Sequence, residues 1–379
     1  MTVSLRSAPI RLIALVFATL AAIALPAGAE TLVLQGGTVH TLTGEPIEAT
    51  VVVTDGTIAA VGTDVTVPAD ARVIDVTGGH VYPGFFDALS QLGLVEINSI
   101  SATVDTTELG GYNPHLQAAT AIHPASEVLP VTRANGITHT VSAPEADGDS
   151  VIPGQGSLVS LDGWTVEEMA IVPGAAMLVN WPAIETRSFD FSTFSMVNKP
   201  YNEAKEAAEK KIAQLRQWLE AARHYARAEE AGSERLERDL KLEALAQVLD
   251  GDMPVVMIAS AERDISAALD FAEEQGLRMI VAGGTEAWKI KERLAEMQVP
   301  VILGLVASLP GASDDPYDRA FRTAGELADA GVTIAFGSGA GGGFGPGGPH
   351  SSRTLPFEAG FAVPYGCLLY TSDAADELT

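Results

Sequence analysis

The sequence is poor in cysteine, in basic residues and in long apolar runs, and each shortage excludes something. A single cysteine, Cys367, among 379 residues rules out a disulfide framework and any cysteine-based metal site. Lys and Arg total 23 against 49 Asp and Glu, a formal net charge of −26. No Lys/Arg-rich block occurs, so the electrostatic footprint of a nucleic-acid or anionic-lipid partner is missing. The one long apolar run, Leu12–Leu25, falls short of the roughly 18–20 residues a membrane span needs. What is present is 47% hydrophobic and only 19% charged, which excludes a wholly disordered chain. The length allows two domains or one large α/β domain.

The front of the chain has the pattern of a secretory signal. Arg6 and Arg11 precede the apolar run, and Ala27-Gly28-Ala29 supplies a small-residue cleavage pattern before Glu30. The expectation is a signal peptide over residues 1–29, cleaved after Ala29, with a periplasmic or secreted product and no membrane association once it is removed. Loss of Arg6 and Arg11 takes the net charge from −26 to −28. A cysteine-poor chain suits an oxidising compartment.

Residues 30–82 are β-rich. Leu32-Val33-Leu34 starts one strand, Val51–Thr54 and Ile58–Val61 flank the hairpin signal Asp55-Gly56, and Val73–Val76 follows. These predict a small antiparallel sheet. The second half alternates. Strands are predicted at Val255–Ala259, Arg278–Ala282, Pro300–Gly304 and Val332–Phe336, with helices at Asp264–Glu274, Glu286–Met297 and Asp318–Ala330. Such βα units imply a parallel sheet, and enough of them fit for a barrel. Between the halves, Ile212, Leu215, Leu219 and Ala222 recur at helical spacing within a helical stretch over 200–250. An amphipathic helix covering the barrel, or a partner-binding helix, would give that stripe.

Motifs in consistent order carry a family resemblance. Gly78-Gly79-His80-Val81-Tyr82-Pro83-Gly84-Phe85-Phe86-Asp87-Ala88 resembles the "G-K-x-V-x-P-G-h-I-D-A" start of the first barrel strand in the amidohydrolase superfamily. Asn113-Pro114 through Ala121-Ile122-His123-Pro124 is similar to its "P-x-x-R-A…A-I-N-P" loop. Arg133–Thr138, Gly154-Gln155-Gly156, Asp264-Ile265 and Gly284-Thr285-Glu286 resemble further elements of the exported, imidazolonepropionase-like branch. The resemblance implies a (β/α)8 TIM-like barrel over 83–366 with a small β-sandwich domain over 30–82. It also implies hydrolysis of carbon–nitrogen bonds other than peptide bonds in a small or cyclic amide, usually with zinc activating a water at the barrel mouth.

The family's metal-ligand positions fall here on Leu89, Gln91, Ile258, Gly283 and Gly339. Leu, Ile and Gly offer no side-chain lone pair to a cation, and Gln is a poor zinc ligand. The expectation is therefore no metal cofactor, with these five residues and Gln155 lining a pocket. No two histidines form an H-x-H or H-x-x-x-H pair. A metal-free acid–base pair would have to come from Asp87, Glu127, Asp264 or Glu286, although Asp87 and Asp264 are as readily read as loop ties. The glycine-rich run from Gly337 lacks the G-K-[ST] ending of a phosphate loop. The last stretch, 367–379, is unlike the family and is expected to be a non-native tail on a C-terminally truncated chain, leaving the sandwich and the last barrel unit incomplete. Two functions remain: a hydrolase of a small-molecule substrate, or a metal-free pseudoenzyme binding a ligand or partner. The oligomeric state is not legible.

Overall fold

A computed structural model of the chain describes residues 31–367 except 43, 147, 149, 191–193, 234–235, 311–313 and 341–348. The expected signal peptide, its cleavage site and the tail beyond Cys367 lie outside the described residues. The chain divides into two compact units, Met1–Pro83 and Gly84–Thr379.

In the first unit, strands β1 (Thr31–Val39), β2 (Ile47–Thr54), β3 (Thr57–Gly62), β4 (Arg72–Asp75) and β5 (His80–Val81) make one five-stranded sheet. Asp55 and Gly56 both take positive φ, 50° and 75°, which is what a tight β2–β3 hairpin turn needs. The sheet is mixed, not antiparallel as the hairpin signal suggested: β4 and β5 run parallel to β1. The segments before them return the chain to the start of the sheet before each strand begins. Its apolar cluster is Val39, Ala49 and Val51, with Leu34, Val53 and Val81 packed against it.

The second unit is a barrel-forming sheet of eight strands in the order β15-β14-β13-β12-β9-β8-β7-β6. These are β6 (Phe85–Ser90), β7 (Ile137–Ser142), β8 (Gln155–Ser160), β9 (Ala170–Asn180), β12 (Val255–Ala259), β13 (Met279–Gly283), β14 (Val301–Leu303) and β15 (Ile334–Phe336). A separate hairpin, β10 (Arg187–Asp190) with β11 (Ser195–Asn198), follows β9. One strand departs from the expected all-parallel pattern. β8 runs antiparallel to both β7 and β9, because the chain crosses directly from the end of β7 into β8 without a returning helix.

Helices cover the outer face. They are α1 (Val128–Arg133), α2 (Val166–Met169), α3 (Tyr201–Glu230), α4 (Leu240–Leu249), α5 (Glu262–Gln275), α6 (Lys291–Glu296), α7 (Arg319–Asp329) and α8 (Leu355–Ala362). The strands are buried on both faces and so read as unbroken apolar runs. Alternation divides them cleanly. Val255, Met257, Val281, Val301 and Ile334 face the helices, where Leu215, Leu219, Ile265, Leu269 and Leu327 meet them. Val256, Ala282, Ile302 and Ala335 face inward with Ala88, Ala143, Ala176 and Leu178. Small side chains fill the interior of a barrel this narrow. The apolar stripe of α3 is a core contact: Leu215, Leu219 and Ala222 are all buried in the outer cluster.

Candidate functional site

The parallel strands of such a barrel end at its mouth, where loops present side chains to a ligand. The sheet's two outermost strands meet there. Leu89 O, at the end of β6, accepts a hydrogen bond of 2.7 Å from Gly339 N, just past β15. Asp87, fully buried in β6, accepts from Ser338 N at 3.0 Å and from Ser338 Oγ at 2.6 Å. Ser338 Oγ in turn lies 2.8 Å from the buried Ser352 Oγ. Burial pushes the Asp87 carboxyl up to about 6, and the bonds from Ser338, Ser352 and the Leu89 N–H hold it from rising further. Asp87 is a seam residue whose carboxylate oxygens are engaged by Ser338 and the Leu89 N–H.

From the seam, residues 337–340 turn inward over the barrel interior. Ala340 is buried and joins the inner cluster with Ala88, Leu89 and Ile302, against which Ile258 also packs. Two glycines exist because this segment passes so close. A Cβ on Gly283 would stand 2.8 Å from Ser260 Oγ, 3.2 Å from Ala340 O and 3.3 Å from Ala259 O, and its φ is +96°. A Cβ on Gly339 would stand 3.1 Å from Leu89 O and 3.2 Å from Ser90 Cα. Leu89, Ile258, Gly283 and Gly339 are thus brought together around one short stretch of backbone. These four positions, expected from the family resemblance to correspond to metal ligands, hold apolar surface or main chain.

Gln91 stands beside them but has a partner: its Nε2 donates to Glu145 Oε2 at 3.0 Å. Gln155 does not line the interior. It alternates with Gly156, whose Cβ would meet Val141, Ala143 and Leu178 inside the barrel. Its own amide instead donates to Pro114 O at 2.7 Å and accepts from Gln117 Nε2 at 3.3 Å, which anchors the 113–117 loop.

The remaining carboxylates are dispersed. Glu127 is exposed at the start of α1 and makes no capping bond. Asp264, in the first turn of α5, pairs with Arg263 Nε at 3.2 Å. Glu286 accepts from Glu262 N and from Lys289 Nζ, both at 2.7 Å. Burial would raise its carboxyl, but the Lys289 bond, the Glu262 N–H and the Lys289 charge outweigh that and leave it lowered. No two of these four acids form an acid–base pair. The histidines of the barrel unit are dispersed as well: His139 Nδ1 lies 2.8 Å from the adjacent Thr138 Oγ1, and His115 Nδ1 is buried with no partner among the described residues. Among the described residues no group of three or more His, Cys, Asp or Glu stands where it could hold a metal ion. Among the described residues, zinc does not fit the donor set at this mouth.

Sequence reasoning overlooked Glu145, the carboxylate on the loop after β7. The motif resemblance covers Arg133–Thr138 only, and the rest of the strand Ile137–Ser142 has no counterpart among the strands expected from sequence. Recognising it would have placed Glu145 at a strand end. The Ser338 and Ser352 hydroxyls carry no sequence signal, since Ser338 meets a partner 251 residues away and Ser352 reaches that network through Ser338.

A helix-wrapped eight-stranded barrel with its loops gathered at the strand C-termini defines the class: a TIM-like barrel of the kind that hosts enzymes. The sequence matches no protein-family model, and no curated protein matches it. Among solved structures, an amidohydrolase from Thermotoga maritima MSB8 is similar over 92% of this chain and 88% of that one, at 26% identity and a TM-score of 0.75. Molinate hydrolase (14% identity, 92% and 83% covered, TM-score 0.47) and phenylurea hydrolase B (13%, 91% and 85%, 0.48) are also similar in structure. The chain belongs to the amidohydrolase superfamily.

Proposed function

We propose that this chain carries the carbon–nitrogen hydrolase scaffold of its superfamily, that its mouth no longer supports metal-dependent hydrolysis, and that the protein binds a small molecule there. One observation carries the reading: main chain within 3.2 Å of a Cβ at Gly283 and Gly339, where a ligating side chain would need room. The half-buried Gln91–Glu145 pair supports ligand binding, since it offers an amide and a carboxylate at the rim to a substrate-sized polar molecule.

Zinc-supplemented full-length protein should show no hydrolysis of a panel of cyclic amides, ureides and carbamates, while members of the panel raise its melting temperature. Zinc-dependent turnover would overturn the reading in favour of a working hydrolase. That second reading is favoured by the extent of the similarity to the Thermotoga protein, which spans both units. The compartment we propose is the periplasm, supported by the pattern of residues 1–29. Fractionation of expressing cells should yield protein beginning at Glu30 outside the inner membrane.

A further inference from the structure

Two histidines stand apart from the mouth, in the small sheet. Thr38 of β1 pairs with His80 of β5, and Val39 with Val81. Alternation therefore places Thr38, His40, His80 and Tyr82 on one face of that sheet. Bonds of 2.9 Å from Thr38 N to Gly79 O and from His40 N to Val81 O clamp the two strands on either side of His80.

His40 Nε2 lies 3.0 Å from His80 Nδ1. The Tyr82 ring stacks on His40 with centroids 4.0 Å apart and planes 14° apart. His40 is buried, whereas His80 is exposed. One imidazole is thus fixed by stacking, and the other has solvent on its open side and room to turn.

A hydrogen bond between the two rings accounts for the contact as it stands. The separation has a second use. Two nitrogens bound at a right angle to a metal, each at about 2.1 Å, are about 3.0 Å apart, whereas tetrahedral binding spreads them to about 3.4 Å. We propose that His40 and His80 form a two-imidazole site for a divalent transition metal of tetragonal preference, copper(II) ahead of nickel(II).

Turning the His80 ring aims both lone pairs at one point on its solvent side. The ring that donates in the hydrogen bond shifts its proton to its other nitrogen, so two metal–nitrogen bonds replace one N–H···N bond with no net proton release. No third His, Cys, Asp or Glu joins the pair among the described residues, and Glu48 is held by Thr38 Oγ1 at 2.5 Å. Water therefore completes the coordination and binding is reversible.

Titration of the full chain with copper(II) sulfate, followed by electron paramagnetic resonance and d–d absorption, should saturate at one equivalent with a two-nitrogen signature. His80→Ala removes an exposed side chain and should weaken that binding by about tenfold or more at an unchanged melting temperature. His123→Ala, exposed in the barrel unit, should leave it intact. No saturable binding, or equal binding in His80→Ala, would overturn the proposal. A His40→Ala variant that stays folded must also lose the signature.

Discussion

At the inner mouth of the barrel the contacts are short and the polar atoms are spent, whereas at the rim a carboxylate and an amide face each other half in solvent. The Asp87 carboxylate, Ser338 and Ser352 form a closed network at the seam, and Gly283, Ala340, Leu89 and Ile258 fill the space beside it. The Gln91 amide and the Glu145 carboxylate are joined by a single hydrogen bond among the described residues. Inner positions are committed to stability, and rim positions are freer to change, because a buried polar group without a partner is costly while an exposed one is not. Substitutions should therefore divide by depth.

The largest effect belongs to Gly283→Val. A left-handed backbone, a close carbonyl and a hydroxyl at 2.8 Å together should cost about 3 kcal/mol or more, read as a lower denaturation midpoint at unchanged slope. A near-neutral Gly283→Val would break the comparison by showing that the inner mouth has room. Next comes Ser338→Ala. It deletes the 2.6 Å bond to a buried carboxylate and should cost about 2 kcal/mol, seen in urea denaturation at pH 7. A loss within experimental error would mean that the seam is held elsewhere.

Asp87 sharpens the same point through pH. Its folded value of about 6 lies above the ordinary 3.8, so the native state favours the protonated acid. That contribution to stability is complete below about pH 3.8, is lost as pH climbs toward 6, and is flat above. Its full extent is about 3 kcal/mol. Asp87→Asn should remove the part of the stability slope lying between pH 4 and 6. An unaltered slope in the variant would contradict the assignment. The smallest structural effect is at the rim: Glu145→Gln should change stability by about 0.5 kcal/mol or less while altering ligand-induced thermal shifts.

How much of this was legible follows from periodicity. Val255–Ala259, Met279–Gly283 and Val301–Leu303 lie between helices and are buried on both faces, so they stood out as apolar runs between 3.6-period segments. β7, β8 and β9 did not. Ile137–Ser142 and Gln155–Ser160 carry Thr, Ser, Gln and Gly and are joined without a helix, which removed the βα rhythm and hid both the antiparallel strand and Glu145. The residues that the family resemblance sets at metal-ligand positions, Leu89, Ile258, Gly283 and Gly339, were legible as apolar or glycine. The reason two of them are glycine was not, because the path of residues 337–340 across the interior is a tertiary fact. Cys367, expected to begin a foreign tail, is buried in the outer cluster, a packing that no local pattern announced.

The central claim, that this mouth cannot hold a catalytic metal, is tested most directly by elemental analysis. The His80→Ala variant, which lacks the imidazole pair of the small sheet, should be purified from zinc-supplemented cells and dialysed. The account predicts well under one equivalent of zinc per chain. One or more equivalents retained in that variant would contradict it.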